Sequence, residues 1–432
     1  MLEIYVVKQG DTVYKIAQMF NVSADKIIAD NELSQKDVNN LVVGQTLVIL
    51  NGNGMAKTHT VVAGDTLFKI SMQYGVGLLE LFNANPQITN PLNLEVGSVI
   101  NIPAKTISKP LIEVNGYCFP NINQEVLNKT LPSLTYLSIF SYEIYSDGGL
   151  NNLNNDENLI RMARNKNVAP IMVVTNLEKG ATFSSELASS VLNNPVAQAN
   201  LINNIILTMQ QKNYYGVDVD FEYLYPADKE AYNNFLQALS LSIKPLGFVL
   251  TTAVAPKLST NQEGVLYEAH DYAFHGKVSD HVIIMTYEWG YTYGPPRAVA
   301  PAPEVKKVLD YAVTQIPSQK ILMGMPNYGY DWKIPYVEGS AATALSNVGA
   351  VNLARDTGSF INYSNSEEAP YFNYYTQNSK HEVWFDDAKS VQTRLNFVKD
   401  YNLGGVSYWT INRYFPQNWL VLNAMYNIKK VL

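Results

Sequence analysis

Residues 215–223 read Tyr-Gly-Val-Asp-Val-Asp-Phe-Glu-Tyr. Successive side chains of an extended strand point to opposite faces. Asp218, Asp220 and Glu222 therefore share one face, and Val217, Val219 and Phe221 the other. On a solvent-facing strand an acidic face would be ordinary. Here the opposite face is apolar and the run lies in the middle of a long alternating series, so the acids are expected to point inward. Burying three carboxylates without a cation is costly. Desolvation and mutual repulsion should keep at least one of them protonated near neutral pH, the state a general acid requires.

Working outward from this run, seven more short apolar runs recur: 111–118, 134–142, 168–176, 247–256, 280–290, 320–330 and 404–411. Most of the gaps hold a helix-length amphipathic pattern. Strand–helix alternation implies a parallel sheet. Eight units favour an α/β fold of the closed (β/α)8 TIM-barrel type over residues 110–432, with its active site at the C-terminal strand ends. A doubly wound open sheet is the alternative. The longest gap, 359–385 included, alternates like antiparallel strands. It reads as a small β-rich insertion, about 335–385, that raises one wall of the cleft.

The N-terminal quarter is an internal repeat. Residues 4–16 (IYVVKQGDTVYKI) and 58–70 (THTVVAGDTLFKI) match, and each continues into two helical patterns and a closing strand after Gly44 or Gly97. The units span 1–50 and 57–104. Asp11 and Asp65 stand where a helix N-cap is expected, and Asn31 and Asn85 where the second helix closes. The Gly/Asn-rich stretch 51–57 and a second boundary near 104–110 make the units read as beads separable from each other and from the rest.

Composition narrows the function. The 432 residues are 47% hydrophobic and 16% charged, with a mild net charge of −7 spread evenly. No clustered basic face points to nucleic acid, and no apolar run is long enough to span a membrane. Cys118 is the single cysteine and the five histidines are scattered. No disulfide, no metal site and no cofactor is expected. The first residues lack the charged and apolar regions of a signal peptide.

The two repeats resemble LysM domains. The resemblance implies two βααβ modules that bind N-acetylglucosamine-containing glycans through Asp11, Thr12, Val13 and Asp30 in the first, and Asp65, Thr66, Leu67 and Asn85 in the second. Two weak sites on one polymer would gain avidity. Asp218, Asp220 and Glu222 resemble the Asp-x-x-Asp-x-Asp-x-Glu signature of glycoside hydrolase family 18, with Tyr215 in place of the first Asp. Met285-Thr286-Tyr287 and Trp409 match further family positions, and Glu288 stands where the family usually has Asp.

This second resemblance implies retaining, substrate-assisted hydrolysis, an exception to the two-carboxylate scheme. Glu222 would be the acid, Asp220 would orient the substrate's 2-acetamido group, Asp218 would tune Asp220, and Tyr287 would hydrogen-bond the acetamido oxygen. Substrate-binding candidates are Trp409 as the sugar floor, Tyr142, Glu288, Trp289, Trp332 and Asn176. Each aromatic could equally be packing.

The whole layout is similar to that of spore cortex-lytic N-acetylglucosaminidases, with matching stretches at 267–272, 287–296, 381–387 and 415–419. It implies peptidoglycan as the partner and a spore coat or cortex location, reached from the mother cell without a signal. A chitinase, a pure lectin and a structural spore coat protein are the alternatives.

Overall fold

The computed structural model describes residues 2–50, 57–103, 109–178 and 182–432. The stretch 51–56 and most of 104–110 thus lie outside the described residues.

Each N-terminal module is a two-stranded antiparallel ribbon covered by helices. In the first, β1 (Leu2–Val6) pairs with β2 (Thr46–Leu50), with Ile4 opposite Val48. Between them run α1 (Val13–Phe20), α2 (Ala24–Asp30) and α3 (Gln35–Asn39), a short helix the sequence did not announce. Val13, Ile16, Ile27, Leu47 and Ile49 form its core with Tyr5. In the second, β3 (Lys57–Thr60) pairs with β4 (Val99–Ile102) around α4 (Leu67–Tyr74) and α5 (Leu78–Asn83).

The caps lie one residue later than expected. Thr12 and Thr66 are the N-cap residues, and their hydroxyls accept from the amides of Lys15 and Lys69, both at 3.2 Å. The preceding acids close the turn instead. Asp11 accepts from the Tyr5 hydroxyl and the Lys8 amide, both at 2.7 Å; Asp65 contacts His59 Nε2 at 2.7 Å and the Val62 amide at 2.8 Å. The buried asparagines do more than end a helix. The Asn31 amide donates to the carbonyls of Ile27 and Val48 and accepts from the Val48 N–H, tying α2 to β2. Asn85 ties α5 to β4 in the same way, through Leu81 and Asn101.

The rest is a closed eight-stranded parallel barrel: β5 (Leu111–Cys118), β6 (Tyr136–Glu143), β7 (Ala169–Thr175), β8 (Gly216–Asp220), β9 (Val249–Val254), β10 (His281–Ile284), β11 (Ile321–Pro326) and β12 (Gly405–Trp409). Each pairs with the next, and β12 closes on β5. All eight fall on the runs read from sequence. The outward faces of β8 (Val217, Val219) and Phe221 join the large apolar layer under the helices, while Tyr117, Phe140, Val173, Ala253, Ile283 and Leu322 fill the upper interior. The insertion is a five-stranded antiparallel sheet. It opens with residues 329–334 directly after β11 and ends with 380–384, with the helix Asn347–Asp356 packed on it.

The first module is not a separate bead. Val48 belongs to the barrel's own apolar cluster, and Val42 packs with Ala350, Ile361 and Phe385 of the insertion. β2 and α2 rest on the last barrel helix, Pro416–Met425. The second module closes a core of its own residues, among them Val61, Leu67, Ile70, Leu81 and Ile100. Replacing Asn85 by Ala would take the side-chain partner from the buried Leu81 carbonyl and the part-buried Asn101 amide and carbonyl, at roughly 1–3 kcal/mol. We expect hydrogen exchange over 57–103 to accelerate accordingly, while protection of the barrel strands stays as in the wild type.

Candidate active site

A cleft of about 500 Å³ opens at the C-terminal end of the barrel. Its floor is Trp409 at the end of β12, whose ring meets Phe140, Tyr117 and Phe119 edge-on at 4.9, 5.4 and 5.8 Å between centroids. Asp220, Glu222, Tyr287 and Glu288 stand in its wall. Period-two alternation places them there: Asp218 and Asp220 point inward from β8, and Glu222 continues the same face just beyond the strand end.

The three acids occupy graded environments. Asp218, deepest, is fully buried and accepts a hydrogen bond from the Tyr117 hydroxyl at 2.6 Å. Burial pushes its carboxyl up to about 7, against the lowering effect of Tyr117. Asp220 is 4% exposed; burial, then the charges of Glu222 and Asp218, raises it well above the carboxylate range. Glu222 reaches the cleft and is pushed up to about 7 by burial and then by Glu288. Glu288 is itself raised by burial, while hydroxyl groups of Tyr328 and Tyr330 donate to it. Among the described residues no cation pairs with these acids, so burial and mutual repulsion favour their protonated forms.

Neighbouring polar groups hold the chain on which Glu222 sits. Asn176 donates to the Glu222 carbonyl at 2.9 Å and accepts from its N–H at 3.0 Å. His270 accepts from the Ala255 amide at Nδ1, which leaves Nε2–H to donate to the Phe221 carbonyl at 2.9 Å. Burial holds this imidazole down to about 4, so it stays neutral. Tyr287 lies over Gly324, where an added Cβ would come within 2.8 Å of the tyrosine ring; only glycine leaves it that room.

The structure thus brings Asp218, Asp220, Glu222, Tyr287, Glu288 and Trp409 together. It places the other barrel candidates elsewhere. Tyr142 is buried and donates to Asp156, beside Lys212 and Tyr214. Trp332 is 1% exposed, its indole N–H bound to the Gly294 carbonyl at 2.8 Å. Trp289 packs on the barrel's apolar layer, and Asn176 stands behind the cleft wall. In the modules, Val13, Leu67 and Asn85 are interior residues, whereas Asp30 pairs with Lys26 at 2.7 Å.

Sequence reading missed Tyr117, Phe140, Phe183, Tyr223, Tyr267, Tyr291 and Tyr328, all of which line the cleft. Tyr117 and Phe140 could have been found from their inward register on β5 and β6. Tyr223 closes the 215–223 run, where alternation puts it on the apolar face, but a φ of +55° turns the chain there and it lines the cleft instead; Phe183, Tyr267 and Tyr291 sit outside the barrel strands, where no periodicity marks them.

Comparison with known proteins decides the lineage. The family model for glycosyl hydrolases family 18 matches residues 117–413, and that for the LysM domain matches 5–50 and 59–103. The chain belongs to glycosyl hydrolase family 18. It is 40% identical over its full length to the cortical fragment-lytic enzyme of Bacillus anthracis, with all of both chains covered. Identity to the cortical fragment-lytic enzyme of Bacillus subtilis (strain 168) is also 40%, over 99% of each chain. Among solved structures, the spore cortex-lytic enzyme SleL of Bacillus megaterium QM B1551 superposes with a TM-score of 0.85 at 40% identity, covering 100% of this chain and 99% of that one.

Membership of family 18 fits the acid ladder, and the ladder has a thermodynamic signature. Asp218 binds its proton more tightly folded than unfolded, so its ionisation costs stability that is lost as pH rises from about 4 towards 7. An Asn at 218 cannot ionise. We therefore expect the stability of Asp218→Asn relative to wild type to grow by up to ~1.4 kcal/mol per pH unit across that window and to level off above it. Thermal unfolding at pH 4.5, 6 and 8 checks this; a constant gap between the two proteins would contradict it.

Proposed function

We propose that this family 18 enzyme hydrolyses β-1,4 N-acetylglucosaminyl bonds of spore cortex peptidoglycan, or of fragments released from it, during germination, with retention of configuration and assistance from the substrate. The observation that carries the reading is the order of the acids along one strand face. An acid with its proton held near neutral pH stands at the cleft. A buried partner stands one step behind it, and a third, Tyr117-bound acid lies beneath.

In this reading Glu222 protonates the leaving glycosidic oxygen, and the sugar's own 2-acetamido oxygen attacks the anomeric carbon. Asp220 orients the acetamido N–H and stabilises the positive charge of the cyclic intermediate, a group absent from the ground state. Asp218 tunes the proton affinity of Asp220 through its charge, and Tyr287 hydrogen-bonds the acetamido oxygen. The intermediate then opens to water activated by Glu222, now the base. Trp409 supports the apolar face of the reacting ring. A sugar without a 2-acetamido group has no nucleophile and should not be turned over.

The substrate and place come from likeness: the relatives that match from end to end are named for cortical fragments and for the spore cortex. The LysM modules support attachment to peptidoglycan, and the spore coat and cortex region is the location that follows. Among the described residues no helix is long and apolar enough to cross a membrane. Cortex digests, analysed by mass spectrometry for the sugar at the new reducing end, test the bond. Turnover of cortex fragments beside chitin oligomers separates this reading from a chitinase, whose catalytic residues would be the same.

Glu222→Gln should fold and lose hydrolysis by roughly 10²–10⁴-fold. Asp220→Asn should be severely impaired in kcat with little change in KM, and Tyr287→Phe less so. A thiazoline mimic of the cyclic intermediate should inhibit the wild type; activity indifferent to it would rule out the substrate-assisted route. The alkaline fall of kcat/KM should reflect loss of the Glu222 proton near pH 7. Removing the Glu288 charge that helps to hold it (Glu288→Gln) should move that fall to lower pH.

A further inference from the structure

We infer that the two LysM modules have different jobs: the first is a fixed brace of the catalytic cleft, and the second alone is the arm that captures glycan. This rests on the glycan-binding reading of the modules given above.

The loop between α2 and β2 would be one wall of a module's glycan groove. In the first module that loop is the part seated on the barrel insertion. Asp37 pairs with Arg355, whose side chain is 3% exposed and whose Nε donates to the Asn40 carbonyl at 3.1 Å. The Ile361 amide donates to the Val43 carbonyl at 2.9 Å, and Lys36 pairs with Asp356 at 2.5 Å. Gly44 sits so close that an added Cβ would lie 1.8 Å from the Ile361 carbonyl oxygen. The matching position in the second module is Gly97. Its φ is the same, +89°, yet among the described residues a Cβ there would meet nothing within 4 Å. The corresponding loop of the second module lies open, with Leu92 and Val96 exposed at 89% and 64%.

The seam also reaches the cleft. Residues 410–417 follow Trp409, the sugar floor. On one side the Tyr414 hydroxyl donates to Glu32 at 2.9 Å, and the Gln417 amide donates to the Thr46 carbonyl at 2.7 Å, both in the first module. On the other side the Arg413 guanidinium lies 5.8 Å from the centre of the Tyr328 ring, and Tyr328 donates to Glu288. Asn327 adds two clamps: its amide N–H donates to the Trp409 carbonyl and its side chain to that of Thr410, both at 3.1 Å. The segment is thus wedged between the module on one side and Asn327 and the cleft-lining Tyr328 on the other. If the module withdraws, Trp409, Tyr328 and Glu288 lose their outer support.

Gly44→Ala and Gly97→Ala in the full-length protein are a matched pair. Each strains the same turn, and only the first drives a methyl group into the barrel. For Gly44→Ala we expect kcat on soluble cortex fragments to fall roughly tenfold and the alkaline limb of the pH profile to move down by about half a unit, as Glu288 shifts from Glu222. Retention on insoluble cortex peptidoglycan should stay within about twofold of wild type. For Gly97→Ala, retention should fall by roughly tenfold while kcat and the pH profile stay unchanged. If Gly44→Ala does not fold, Tyr414→Phe combined with Gln417→Ala should reproduce its kinetic pattern. The inference is overturned if the two glycine variants behave alike. Equal losses of retention would leave the glycan-binding reading standing and remove only the division of labour. Unchanged retention in both would remove the reading itself, and unchanged kinetics in the seam variants would remove the brace.

Discussion

The structure is organised around the cost of placing three carboxylates in a barrel that, among the described residues, pairs them with no cation. Every strand of β5–β12 contributes to an interior that must be dry enough to raise their proton affinity and polar enough at chosen points to keep them in place. The Tyr117 hydroxyl serves Asp218, while two tyrosine hydroxyls serve Glu288. His270 and Asn176 spend their hydrogen bonds on the backbone around Glu222 and leave its carboxyl free. A lysine or arginine beside them would lower their proton affinity. The energetic debt at the cleft is covered by the continuous apolar layer between the strands and helices.

Much of this was legible from the chain. Alternation revealed the inward acids because a strand has only two faces, and the eight apolar runs revealed the barrel because parallel strands are buried on both sides. What failed was whatever depended on distant partners. Tyr142, Trp289 and Trp332 stand near strand ends, as cleft residues would, but a side chain's direction there is set by neighbours such as Asp156 and Gly294 that the local sequence does not name. The helix caps slipped by one because Asp11 and Asp65 find better partners inside the turn: Tyr5 in one module, His59 in the other.

The repeats show the same limit on a larger scale. Their matching turns and strands made them read as equivalent beads. Equivalence of fold was correct, but equivalence of surroundings was not. Val42 and Val48 are buried against the barrel, while Glu95 and Asn101 occupy the matching positions of the second module. A hydrophobic residue on the outer face of a small module was the available sign that something covers it.

The seam also imposes an order on biosynthesis. The first module is translated before the barrel, and the groups that cover its outer face follow their partners by 315 to 371 residues. Arg355 contacts it across 315 residues, Ala388 across 342 and Gln417 across 371. The module can close its own small core early, because its contacts are local. Its docking face must then wait, uncovered, while the second module and most of the barrel emerge from the ribosome. Completion of the cleft and burial of that face are therefore a single late event. A chain truncated before its last eighth would carry the acids of β8 without the Trp409 floor, the closing strand or the helix Pro416–Met425 on which the first module rests.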